Sequence, residues 1–146
     1  MLGYYKNAEA TRDVLDDEGW LHTGDLGYID KDNFIYINGR SKSMILGASG
    51  QNIYPEEIEA KINNMKFVQE SVVIDENQKI VALIFPDKEM MEKQGVDEKK
   101  LQEIFDDHKK HLNHSVPAFM KVSEFRIHKE EFEKTPKKSI KRFMYT

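Results

Sequence analysis

The 146-residue chain has no cysteine, a single tryptophan and no excess of positive charge. Without cysteine there is no disulfide framework, in keeping with a cytoplasmic location. Twenty-two Lys and Arg against 26 Asp and Glu leave a net charge of −4, which argues against a chain whose main work is wrapping nucleic acid. No stretch approaches the roughly 18 consecutive apolar residues of a membrane span. The first twenty residues, MLGYYKNAEATRDVLDDEGW, have neither the basic start nor the central apolar run of a secretory signal. What is present, 39% hydrophobic and 33% charged residues, is the balance of a globular domain with a real core.

The opening LGYYKNAEATRDVL has no cap and no periodicity, so it is expected to be irregular with at most one helical turn, the cut end of a longer chain. LGYID and FIYING, on either side of Lys31–Asn33, predict a β-hairpin with a three-residue loop. A short apolar run, MIL, then leads into GASGQN, a glycine loop expected to join a strand to a helix. In IYPEEIEAKINNM, Pro55 suits a first helical turn, Glu56 and Glu57 suit its positive end, and Ile58, Ile62 and Met65 recur at helical spacing. FVQESVVID and KIVALIFP predict two strands around ENQ, and the unbroken IVALIF reads as a central strand covered on both faces. Leu101, Ile104, Phe105, His108 and Leu112 predict a helix over residues 97–114, KVSEFRIH a last strand, and KEEFEKTPKKSIKRFMYT a basic segment closing in a short helix.

A turn centred near Asp32 sets Asp25 beside Arg40 at the open end of the hairpin. Such a pair is either a plain surface salt bridge or a grip on a vicinal diol, because a carboxylate accepts and a guanidinium donates the hydrogen bonds that two ribose hydroxyls need. His108, His111 and His114 recur every three residues. On a helix each step turns by roughly 300°, so the three cannot face one ion, and no metal site is expected there.

GWLHTGDLGYID, INGRSKSMI, SGQNIYPEEIE and EKTPKKSIKR, in that order, resemble the closing third of an adenylate-forming enzyme, the superfamily of acyl-CoA synthetases, peptide-synthetase adenylation domains and luciferases. GRSKSMI followed by SGQNIYPEEIE resembles most the long-chain fatty acyl-CoA synthetase branch. The resemblance implies an α+β fold, a hairpin that ends a large N-terminal domain over residues 1–41, then a small mixed sheet packed with helices over residues 42–146, the C-terminal lid. It implies that Asp25 and Arg40 hold the ribose of ATP, that Lys42 is the hinge about which the lid turns between half-reactions, and that Ser49 and Gly50 lie along the pantetheine arm of CoA. A glycine there lets the backbone approach a narrow ligand.

In the tail the chain departs from the family's pattern. Members carry a lysine four residues after a threonine or serine, and here that place is Ser139, counted from Thr135. Lys138 or Lys141 is then expected to supply the ammonium that offsets charge building on the α-phosphate, with Lys138 preferred. Lys134, Lys137, Lys138, Lys141 and Arg142 have a plainer explanation as the solvating charges of a mobile end. The resemblance further implies a fatty acid, ATP and CoA as substrates, Mg2+ held mainly by the N-terminal domain, that domain as the lid's partner, and peripheral membrane contact for a long-chain substrate. On this basis the 146 residues alone should show little turnover. Two alternatives stand beside it: an adenylating enzyme that loads a carrier-protein thiol, and a non-catalytic interaction module.

Overall fold

The computed structural model describes residues 1–47 and 49–145. Two compact units form, Met1–Lys42 and Ser43–Thr146, and the fold is of the α+β class.

In the first unit Asn7 accepts a hydrogen bond from the Ala10 amide and starts the one-and-a-half-turn helix α1, Ala8–Arg12. A cap is therefore present where none was expected from the sequence. Strands β1, Asp25–Ile29, and β2, Ile35–Arg40, pair antiparallel. Their turn closes through the Asp30 carboxylate, which accepts the Asp32 and Phe34 amides at 2.8 and 3.0 Å, with Asn33 at φ +63°. The strands change register between Leu26 and Gly27. A Cβ on Gly27 would lie 2.3 Å from the Tyr36 carbonyl oxygen, so only glycine fits that bulge.

A 3-10 turn, Ser41–Ser43, leads to the second unit. Two short strands, β3 Ile45–Leu46 and β4 Asn52–Ile53, pair antiparallel, so GASGQN joins two strands and not a strand to a helix; Ala48 lies outside the described residues. Helix α2, Pro55–Ile62, opens on its proline as expected and buries Pro55, Ile58, Glu59 and Ile62. Strands β5, Val68–Glu76, and β6, Lys79–Pro86, form a hairpin whose turn holds Asn77 and Gln78 at φ +54° and +61°, the left-handed pair that matches strand twist. The helix α3, Lys88–Gln94, was not foreseen; Asp87 caps it and Gly95, at φ +61°, ends it. Helix α4, Glu98–Ser115, capped by Asp97, turns Leu101, Phe105 and Leu112 inward. Strand β7, Glu124–Ile127, adds parallel to β6, giving the order β5-β6-β7.

The central position of β6 accounts for its unbroken apolar run. Ile80, Ala82 and Ile84 face a core with Ile58, Ile62, Leu101, Phe105, Leu112 and Phe125. Val81, Leu83 and Phe85 face the opposite way, together with Val72 and Ile74, and are covered by Phe132, Ile140 and Tyr145 of the C-terminal segment. The tail therefore forms the second cover of the sheet and is not a mobile end.

Candidate functional site

The bulge in the first hairpin decides which side chains meet at its open end. Below it Tyr28 faces Tyr36, their rings stacked at 5.0 Å; beyond it the one-residue slip places Asp25 opposite Arg40. The Arg40 Nη1 donates to Asp25 Oδ1 at 2.5 Å and to the Thr23 carbonyl at 3.3 Å. Hydrogen bonding to Arg40 holds the Asp25 carboxyl below its ordinary value, with the Thr23 hydroxyl and the guanidinium charge acting in the same direction. The pair is open to solvent, with 35% of the Asp25 side chain and 61% of the Arg40 side chain exposed. The arrangement offers an acceptor and a donor fork side by side at a surface a ligand can reach.

Lys42 sits in the Ser41–Ser43 turn, exposed, at the last position of the first unit. In the glycine loop the Gly47 amide donates to the Gln51 carbonyl and the Gly50 amide to the Gly47 carbonyl, both at 2.8 Å, while the Ser49 hydroxyl donates to the Gln51 side chain. Gly50 has φ +82° and no atom within 4 Å of where a Cβ would stand. Conformation there selects glycine, and the space beside it is open.

The C-terminal segment forms a closed loop. Lys134 and Ile140 make an antiparallel bridge, and the Thr135 amide donates to the Ser139 carbonyl at 2.8 Å. Lys138, at φ +61°, and Lys137 are exposed at the tip. Three cations of this basic run do not merely solvate it. Lys134 pairs with Glu70 of β5 at 2.8 Å, a hydrogen bond that raises its pKa; Lys141 lies 3.6 Å from Glu133; and Arg142 donates to Glu59 of α2. Between the two candidate lysines, Lys138 carries no ion pair among the described residues, whereas Lys141 is held by its own neighbour.

The Arg142–Glu59 pair went unread in the sequence, although a signal for it was there. Glu59 shares the inward face of α2 with Pro55 and Ile62, and a carboxylate on a buried face needs a partner. His108, His111 and His114 lie near different backbone carbonyls, those of Lys66, Asp107 and Lys110.

Residues 42–145 match the AMP-binding enzyme C-terminal domain family. Over 103 residues, 63% of the chain, the sequence is 38% identical to the probable acyl-activating enzyme 16, chloroplastic, of Arabidopsis thaliana, and over 84 residues, 57% of the chain, 36% identical to a long-chain-fatty-acid–CoA ligase of Rattus norvegicus. It spans only 14% and 12% of the length of those relatives. Among solved structures, the adenylation domain of a carboxylate reductase from Mycobacterium chelonae superposes on 99% of the chain and 24% of its own length with a TM-score of 0.85 at 20% identity, which speaks to the fold. An ATP-bound MatB from Rhodopseudomonas palustris covers 99% of the chain with 27% of its own length, at TM-score 0.68 and 26% identity. A family match that takes in almost everything after the hairpin, together with that shared fold, means that the chain belongs to the adenylate-forming enzymes, as an AMP-binding enzyme C-terminal domain.

Proposed function

We propose that this chain is the C-terminal part of a long-chain fatty acid–CoA ligase. In the first half-reaction a fatty carboxylate oxygen attacks the α-phosphorus of ATP and pyrophosphate leaves with the electron pair of the broken bond. In the second, the CoA sulfur attacks the acyl carbon, the thiol proton is lost and AMP departs. The Asp25 carboxylate accepts from a ribose hydroxyl and Arg40 donates to the same sugar. The Lys138 ammonium offsets the charge that grows on the α-phosphate, with Lys141 as the less accessible alternative. Lys42 is the pivot between the two units, and the open space at Gly50 takes the pantetheine arm beside Ser49 and Gly50. Mg2+ and the acyl pocket belong to the rest of a longer protein, whose surface also covers the apolar side chains that the first unit leaves exposed.

The observation that carries this assignment is the bulge-determined meeting of Asp25 and Arg40 at an open surface. The likeness to a long-chain-fatty-acid–CoA ligase supports the choice of acid and of CoA. A full-length protein should release pyrophosphate only with ATP and a long-chain fatty acid, and Asp25→Ala should lower that rate by about tenfold to a hundredfold. Turnover that ignores fatty acids, or loads a carrier-protein thiol without CoA, would overturn the substrate assignment. Unchanged turnover in Asp25→Ala would overturn the role of the pair. The 146 residues alone should release no pyrophosphate above background.

A further inference from the structure

The lysine-bearing loop is suspended between two ion pairs anchored on different elements. On one leg Lys134 holds Glu70 of β5. On the other, Arg142 meets Glu59 of α2 in a two-pronged bond, Nη1 to Oε1 at 2.7 Å and Nη2 to Oε2. Glu59 is only 7% exposed, and its Oε1 also accepts the Val73 amide of β5 at 2.6 Å. Burial works against the charge on Arg142, yet the hydrogen bond to Glu59 and the charges of Glu59 and Glu56 outweigh it and leave the pKa raised. A planar guanidinium held by both prongs has little freedom to turn, so it tethers the tail to α2 at Arg142.

Arg142 stands one residue after Lys141 and four after Lys138. Its Nη2 also lies 3.7 Å from Glu56, whose Oε1 accepts the Ser43 hydroxyl at 2.6 Å. One guanidinium thus joins the tail, α2 and the residue next to Lys42. Among the described residues the glycine loop's hydrogen bonds, Gly47 to Gln51, Gly50 to Gly47 and Ser49 to Gln51, do not involve Arg142.

We propose that Arg142 is a positioning residue for adenylation: through Glu59 it seats the 134–141 loop so that the Lys138 ammonium is presented at a fixed height, a requirement of the first half-reaction and not of thioester formation. The proposal rests on the ligase assignment above. Such seating matters because a misplacement of about 1 Å at a charge-stabilising group costs about a hundredfold in rate.

The test uses full-length protein carrying Arg142→Gln, Arg142→Lys or Glu59→Gln. Two rates are compared, fatty-acid-dependent ATP–pyrophosphate exchange, and thioester formation from supplied acyl-adenylate and CoA. Arg142→Gln should lower the exchange kcat by about a hundredfold with the KM for ATP within about threefold, leave thioester formation within about twofold, and speed trypsin cleavage after Lys137 and Lys138. Arg142→Lys, which keeps the charge without the fork, should recover part of the exchange rate. Both half-reactions falling together in every variant, or neither changing, overturns the proposal. Should Arg142→Gln fail to fold, Arg142→Lys decides alone: a fall of about tenfold confined to exchange supports the proposal, and no such split overturns it. An unsubstituted protein without fatty-acid-dependent exchange overturns the ligase assignment and this proposal with it, whereas normal exchange with no split among the variants overturns this proposal only.

Discussion

The two units of the chain use their apolar residues in opposite ways. In Ser43–Thr146 a three-stranded sheet is covered on one face by α2 and α4 and on the other by the tail, and side chains such as Phe105 and Val72 are wholly buried. In Met1–Lys42 the only buried residue is Gly39, while Tyr28, Ile29, Phe34, Ile35, Tyr36 and Ile37 all stay exposed on the hairpin. Hydrogen bonds and a tight turn suffice to shape a hairpin, but a two-stranded ribbon with no cover is marginal in water. The difference teaches that local geometry and global stability have separate origins here. The candidate nucleotide grip is built by register, whereas the lysine loop is built by a core.

That contrast can be broken from either side. Phe105→Ala removes a fully buried ring that meets Phe125 edge-on at 6.5 Å, and should cost about 3–5 kcal/mol in denaturant unfolding. Tyr36→Ala, in the hairpin, should change the same transition by less than about 0.5 kcal/mol; a large effect there would mean that the first unit shares the core's stability. Next in size, Glu59→Gln leaves the half-buried Arg142 with only the more distant Glu56 as counter-charge and should cost about 3 kcal/mol, measured the same way. Lys138→Gly should act in the other direction. Relief of a left-handed lysine is worth about 1 kcal/mol of stability, while adenylation by the full-length protein falls; a gain in both would show that Lys138 is not the working cation.

The smallest effect concerns pH. Because Arg40 depresses the folded pKa of Asp25, the pairing contributes its stability above the ordinary carboxylate range and loses it as the pH falls through the depressed value. The Asp25 carboxyl carbon, followed by NMR, should therefore titrate below the ordinary aspartate range. A midpoint inside that ordinary range would show that the pair does not persist in solution.

Several elements were legible because local chemistry prescribes them. Pro55 and the two acids behind it mark the start of α2, the apolar run of β6 requires cover on both faces, and the turn at Asp30–Phe34 aligns Asp25 with Arg40 once the bulge at Gly27 is allowed for. Helix α3 was missed because none of its residues is buried and no apolar stripe announces it, although Asp87 and Gly95 were signals at its ends. Strand β4 has two residues, too few for any periodicity. The basic tail is consistent in sequence with either solvating or catalytic charges, and these separate in the structure: Lys134, Lys141 and Arg142 find carboxylates, while Lys137 and Lys138 stay exposed.

By itself the sequence determined where α2, α4, β5 and β6 lie, which strand is at the centre of the sheet, and that an acid and an arginine face each other across a turn. All of these follow from interactions between residues near one another along the chain. Only the tertiary structure decided which cations of the tail are engaged, because Glu59 and Arg142 are 83 residues apart. A partner that distant is chosen by the packing of α2, β5 and the tail around the sheet, and no spacing along the chain records it.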